Sequence, residues 1–254
     1  MDSYSLREMM AIAAARIIQD DDIVFCGTGI SMLAAMAAKH IHAPHSIIFF
    51  ETGAIDSQLQ ELPLAVGDSR VMHGASINGS LADSFATMQN QWWGRRVIGI
   101  MGAAQVDRFG NINTTVIGDY HNPLTRFPGS GGSCDVASFV GRTVIFMKHE
   151  KRKFVETLDY LTSPGWIDGP EGRKRTGLPD GGPEKVISDM GIMGFDSTTK
   201  EMFLEGCYPG ITPQEIANRT GFDMDVSRAG RIELPTEKEL QVLRTVCDPH
   251  SLIL

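Results

Sequence analysis

Apolar and polar positions along the first hundred residues fall into blocks of two kinds. Short continuous apolar runs, DIVFC at 22–26, SIIFF at 46–50 and RVIGIMG at 96–102, are rich in β-branched and aromatic residues and too short for helices, which predicts buried strands. Segments of helical period lie between them. In MDSYSLREMMAIAAARIIQDDD, Met9, Ile12, Ala13, Arg16 and Ile17 recur at helical spacing, and Ser5 stands three residues before Glu8. A hydroxyl and a carboxylate so spaced can each satisfy an otherwise unpaired amide, so a helix is predicted to start just after Ser5. A second helix is predicted between the first two runs, through ISMLAAMAA to about residue 39. Strand, helix, strand in repetition is the rhythm of an α/β protein with a largely parallel sheet.

The texture changes after about residue 105. GNINTT, TRFPGSGGSCD and TSPGWIDGPEGRKRTGLPDGGP form long Gly/Pro-rich connections between brief apolar runs such as RTVIFM at 142–147. Long connections in a compact domain usually carry function or contact a partner. No linker composition, charge block or fixed-period repeat marks a second domain, so residues 1–254 read as one.

Composition narrows the field. A chain of 254 residues with 42% hydrophobic content can bury a substantial core. The net charge of -8, with basic runs only as short as GRR at 94–96 and KHEKRK at 148–153, argues against a nucleic-acid partner. ISMLAAMAA, the longest apolar stretch, falls far short of the roughly 20 residues a membrane span requires. The N-terminal segment opens with an acid and is interrupted by Arg7, Glu8 and Arg16, so it does not read as a secretory signal. Cys26, Cys134, Cys207 and Cys247 are widely spaced and form no CxxC pair, which suits reduced thiols in a cytoplasmic protein. His40, His42 and His45 follow a predicted helix end and lack a further ligand at suitable spacing, so no metal is expected. Trp92 and Trp93 read as core or subunit contact, and Met9, Met10, Met32 and Met36 as core filling.

Three places can carry chemistry. CGTGISM at 26–32 has Met32 where a dinucleotide fingerprint needs glycine, and reads as a tight strand-to-helix turn. GSGGSCD at 129–135 has three glycines in four residues; its backbone can approach a ligand and aim amides at developing negative charge, or it is simply a flexible loop. Glu51 is the first residue past the SIIFF strand, at the end of the sheet where α/β proteins collect ligands. It is either a nucleophile or base, or an acid stabilising a helix N-terminus.

GTGISM, ETGAID, GAAQVDRFGNIN, IGDYHNPLTRFPGSGG, HEKRKF, DYLTSPGWIDGPEGRKRTGLP and GFDMDVS span most of the chain in order. Together they resemble the β subunits of family I CoA-transferases of the glutaconate type. The resemblance implies a three-layer α/β fold with an open, mainly parallel sheet. It implies transfer of CoA between a short, dicarboxylic acyl-CoA and a small carboxylic acid, through a thioester on Glu51, with no cofactor beyond the CoA substrates. Gly129, Gly131 and Gly132 match the family's glycine loop near the thioester, while Ser133 and Cys134 depart from its usual continuation, which bears on acyl specificity. Gln105 is either a further substrate contact or a buried structural amide. An α subunit is the implied partner, in a heterotetramer or hetero-octamer, and TSPGWIDGPEGRKRTGLP is expected to face it. Two alternatives share the scaffold: a hydrolase of acyl-CoA thioesters or rings, whose known members tend to lack this glutamate, and a non-catalytic structural subunit.

Overall fold

In the computed structural model, which describes residues 4–254, the helix predicted after Ser5 forms as α1, Leu6–Ala15. Ser5 Oγ accepts the Glu8 N–H at 3.2 Å and the Glu8 carboxylate accepts the Ser5 N–H at 2.6 Å, closing both halves of the predicted cap. The chain forms two compact units: residues up to Met101 with Glu233–Leu254, and Gly102–Ile232. The division falls beside the change of texture near residue 105.

In the first unit the apolar runs become β1 (Ile23–Cys26), β2 (Ile47–Phe49) and, leading to the boundary, β5 (Val97–Gly102). β1 lies between the other two, parallel to both, with Ile23 opposite Ile47 on one side and Val97 on the other. Every residue of β1 is buried, which is why its apolar run is unbroken rather than alternating. The crossover from β1 to β2 is α2 (Ile30–Ile41), which packs on α1 and buries Met32, Leu33 and Met36 as α1 buries Met9 and Ile12. Beyond β2 the sheet continues antiparallel through β3 (Ala54–Ile55) and β4 (Ile77–Asn78), and α3 (Leu81–Gln89) follows. The C-terminal segment returns to α1 through charge pairs. The Arg16 guanidinium grips Glu239 of the closing helix Glu237–Val242 through two 2.8 Å bonds, and Arg244 binds Glu8 at 2.5 and 3.1 Å.

The second unit starts with two hairpins, β6 (Gln105–Val106) with β7 (Ile112–Asn113) and β8 (Val116–Gly118) with β9 (Pro123–Arg126). α4 (Ser133–Phe139) follows the glycine loop, then β10 (Arg142–Met147). β10 pairs in parallel with β11 (Pro183–Ser188). The sheet continues antiparallel through β12 (Gly191–Phe195) and β13 (Met202–Cys207), and the short β14 (Gly230–Arg231) pairs in parallel with β13. The expected α/β fold is borne out, with parallel pairing between the longest apolar runs and antiparallel pairs following them in each unit, closed in the second by the parallel β14.

One expectation is narrowed. Trp92 and Trp93 are 86% and 51% exposed, which removes the core half of their reading and leaves subunit contact. Residues 162–179, expected to face a partner, are anchored inward at Trp166 and Arg173 while residues 174–177 stay exposed. The Trp166 indole N–H donates to Pro183 O at 3.1 Å, and the Arg173 side chain, in a short helical turn, is only 4% exposed. Rigid Pro/Gly framing serves a buried guanidinium in this segment. No helix among the described residues is long and apolar enough to cross a membrane.

Candidate active site

Glu51 stands at a tight turn and not at a helix start. Gly53 N–H donates to Phe50 O and Phe50 N–H to Ala54 O, each at 3.0 Å, so residues 50–53 reverse the chain from β2 into β3 with Glu51 and Thr52 at the corner. The two helical segments that follow carry their own caps, Asp68 for the 3-10 turn Ser69–Met72, and Ser80 with Asp83 for α3. The helix-stabilising reading of Glu51 therefore has no helix to act on.

The turn is held from three sides. β2 pairs with β1; Ser84 Oγ–H of α3 donates to Phe50 O at 2.9 Å; and Gly53 O accepts Gly79 N–H at 2.9 Å. Gly53 has φ +97°, and a Cβ there would lie 2.5 Å from the Gly79 carbonyl, so only glycine lets the two backbones meet. Within this frame the half-buried Glu51 carboxylate makes no hydrogen bond or ion pair with any described residue. Thr52 Oγ1 beside it is buried and equally unpartnered among the described residues. Buried polar atoms such as Thr52 Oγ1 are rarely left so, and with the unpaired Glu51 carboxylate beside it this corner is a candidate site.

The second unit holds the other matched residues. Gly129 N–H donates to Thr114 O at 3.1 Å and Thr114 Oγ1–H donates back to Gly129 O at 3.0 Å, pinning the start of the glycine loop. Its far end is tied by Ser133 Oγ to Ser163 Oγ at 3.0 Å. Between these anchors the N–H groups of Gly131 and Gly132 have no partner among the described residues. Gly129 and Gly131 have φ of +100° and +49°, and a Cβ at either would meet open space, so the loop exposes bare backbone. A cavity of about 610 Å³ adjoins it, with Gly129 and Ala103 and Ala104 among its walls.

Gln105 is 4% exposed and its carboxamide is spent on the protein. Oε1 accepts from Asn113 Nδ2 at 2.7 Å and Asp159 N at 3.2 Å, while Nε2 donates to Asp159 Oδ2 at 2.5 Å. It braces the two hairpins that carry the cavity wall. Asn113 and Thr162, which the motif GNIN and the following loop gave no reason to single out, are the centre of this bracing. Asn113 Oδ1 accepts from Thr115 N and Val116 N, and Thr162 Oγ1 accepts Thr114 N–H at 2.9 Å. Asn111 does the same service two residues earlier, accepting Gly165 N–H at 2.7 Å and Ile167 N–H at 3.1 Å.

The remaining candidates carry no constellation. His42 Nε2 lies 3.0 Å from Ile18 O, and His45 pairs with Asp20 at 2.8 Å. The four cysteines are free, Cys26 and Cys247 buried and Cys134 half-buried in the first turn of α4.

Known proteins share both the sequence and the fold. The Coenzyme A transferase family profile matches residues 7–219. The chain is 43% identical to the B subunit of glutaconate CoA-transferase from Acidaminococcus fermentans, over 99% of this chain and 96% of that protein. It is 36% identical to the B subunit of 3-oxoadipate CoA-transferase from Pseudomonas knackmussii, over 97% and 94% respectively. The crystal structure of the A. fermentans glutaconate enzyme superposes with a TM-score of 0.95 at 41% identity, covering 99% of this chain and 97% of that one.

Proposed function

The chain belongs to the coenzyme A transferase family, and we propose that it is the β subunit of an enzyme moving CoA between a short dicarboxylic acyl-CoA and a small carboxylic acid, with Glu51 as nucleophile. The observation that carries the reading is the Glu51 carboxylate, fixed at a turn corner and left without a partner among the described residues. A general support acid would be paired; a nucleophile must be free to reach a carbonyl carbon.

The steps follow from a carboxylate's chemistry. A Glu51 oxygen attacks the thioester carbonyl, the C–S bond breaks, and CoA leaves as thiolate from an acyl-glutamyl anhydride. The thiolate then attacks the Glu51 carbonyl carbon and expels the acyl group as its free carboxylate, leaving a glutamyl-CoA thioester. An acceptor carboxylate runs the same steps in reverse. Each bond is made and broken at a carbonyl carbon, so the exchange calls for neither a redox group nor a metal. The free amides of Gly131 and Gly132 suit the tetrahedral oxyanion, at about 3 kcal/mol for a good donor. Gly129, whose amide is already bonded, sets the loop's path, and Gln105 braces it.

Both relatives are named for dicarboxylic acids, which supports a dicarboxylic substrate. Both are B subunits by name, which supports an α subunit as partner, in a heterotetramer or hetero-octamer. Four free cysteines suit the reducing cytoplasm.

The test is to incubate the assembled two-subunit enzyme with acyl-CoA and no acceptor. CoA should become attached at Glu51, the thioester being trapped by hydroxylamine and mapped to the peptide holding that residue. Glu51→Ala and Glu51→Gln should each lower exchange by at least about three orders of magnitude without unfolding the protein. Label on another peptide, or near-normal exchange by Glu51→Ala, refutes the assignment.

A further inference from the structure

The cavity beside the glycine loop has a polarity of its own. Its walls include the apolar faces of Ile117 and Phe127 and the hydroxyl of Thr125, and the only charged residues lining it, among those described, are Arg152 and Lys153. No described acid lines it. The backbone fixes where these cations stand: Val106 N–H of β6 donates to Lys153 O at 2.7 Å, and Lys153 N–H donates to Glu150 O at 2.8 Å. Lys153 is well covered, its side chain 23% exposed, while that of Arg152 is 79% exposed. One carboxylate serves both: Glu150 lies 2.7 Å from Arg152 Nε and 3.6 Å from Lys153 Nζ. Two cations share one anion, so a positive charge remains in excess, and the longer of the two pairs belongs to the more buried cation.

A volume of about 610 Å³, mostly apolar walls and a few polar groups are the features of a small-molecule site. We propose that this cavity takes an extended arm of the substrate that ends in an anion, with Lys153 and, more weakly, Arg152 binding that anion in place of Glu150. The inference rests on the CoA-transfer reading for its substrates but concerns residues which that reading does not use. The anion can come from two sources, the far carboxylate of a dicarboxylic acyl group or a phosphate of CoA. In either case specificity resides in this chain.

The test measures binding directly, so that it does not depend on turnover. The assembled two-subunit enzyme is titrated calorimetrically with glutarate, pentanoate, CoA and pantetheine, for wild type, Lys153→Met, Arg152→Gln and Glu150→Gln. Lys153→Met should weaken glutarate binding ten- to hundredfold and leave pentanoate within twofold if the anion is a carboxylate. It should weaken CoA to the same extent and spare pantetheine if the anion is a phosphate. Arg152→Gln should repeat the loss in smaller measure, and Glu150→Gln, which removes the competitor, should tighten the same probe severalfold. That gain is something a merely structural pair would not produce. The proposal is overturned if Lys153→Met leaves glutarate and CoA within twofold of wild type, or weakens the anionic and truncated probes alike. It is overturned too if Glu150→Gln brings no tightening, or if wild type binds none of the four. Exchange activity of wild type, assayed in parallel, judges the CoA-transfer reading separately.

Discussion

Replacing Arg173 by methionine isolates what holds the second unit's loops together. Arg173 Nε donates to Pro179 O at 3.1 Å, Nη1 to Ala137 O at 3.1 Å and Gly165 O at 3.0 Å, and Nη2 to Ser138 O at 2.8 Å. Two of these carbonyls belong to the end of α4, where a cation also complements the helix dipole. Burial lowers the guanidinium pKa to about 10, which still leaves it charged at neutral pH. Methionine keeps an apolar stem of similar reach but leaves four carbonyls without their donor. At about 1 kcal/mol for each acceptor left unsatisfied, the loss comes to about 4 kcal/mol, within the range for breaking a buried charged network. Arg173→Lys keeps the charge without the planar fork, and should lose about half as much. Urea unfolding followed by fluorescence of Trp166, which lies in the same segment, measures both variants against wild type. A loss below about 1 kcal/mol for Arg173→Met at unchanged slope would show that water satisfies those carbonyls, and refute the reasoning.

His149 and Gly53 give two further predictions. The His149 imidazole is 1% exposed, stacked on Phe154 at 3.9 Å and bonded to Thr220 Oγ1 at 3.0 Å, and burial pushes its pKa down to about 4 from 6.5. Between those values the unfolded chain binds the proton and the folded one does not. Its neutral form is therefore no burden above pH 6.5, and about 3 kcal/mol of stability is lost as the pH falls toward 4. His149→Gln should flatten the dependence of Tm on pH across that window, and an unchanged slope would remove His149 as its source. Gly53→Ala must either adopt φ +97° with a Cβ 2.5 Å from the Gly79 carbonyl or move the turn. We expect about 2 kcal/mol lost stability and at least tenfold slower exchange; full exchange would mean that the placement of Glu51 is not set there.

The parts of this fold that are legible in sequence are those fixed by neighbours along the chain. Continuous apolar runs gave β1, β2, β5 and β10 to within a residue or two, because a strand buried on both faces needs nothing else to declare it. The Ser5 to Glu8 cap is likewise local. What stayed hidden depends on partners far away in sequence. Asn111 bonds residues 54 and 56 positions on, and Asn113 and Thr162 meet across 49. Arg173 appears in sequence as one more charge in a basic, glycine-rich loop, and only its approach to residues 35 and 36 positions earlier makes it a core residue. The two-residue strands β3 and β4 escaped for a related reason: too short for any period, they exist because Gly53 and Gly79 let two backbones touch.

The same contrast separates scaffold from chemistry at the site. In the first unit, the main-chain groups that flank the Glu51 corner are tied, Phe50 O by Ser84 and Gly53 and Gly53 O by Gly79, while the Glu51 carboxylate and Thr52 Oγ1 have no partner among the described residues. In the second, Thr114 and Ser163 hold the ends of the glycine loop while the Gly131 and Gly132 amides have no partner among the described residues. A group that must react or stabilise charge cannot satisfy itself on the protein, yet it must be held within a fraction of an ångström to act. Tight anchors flanking unspent polar atoms meet both demands, and they occur at the two places where the motifs ETGAID and GSGG fall. Gln105, from the equally distinctive GAAQVD, has its oxygen and one N–H fully used. That difference supports a framing role for Gln105 and, under the proposed function, a reacting role for the other two motifs.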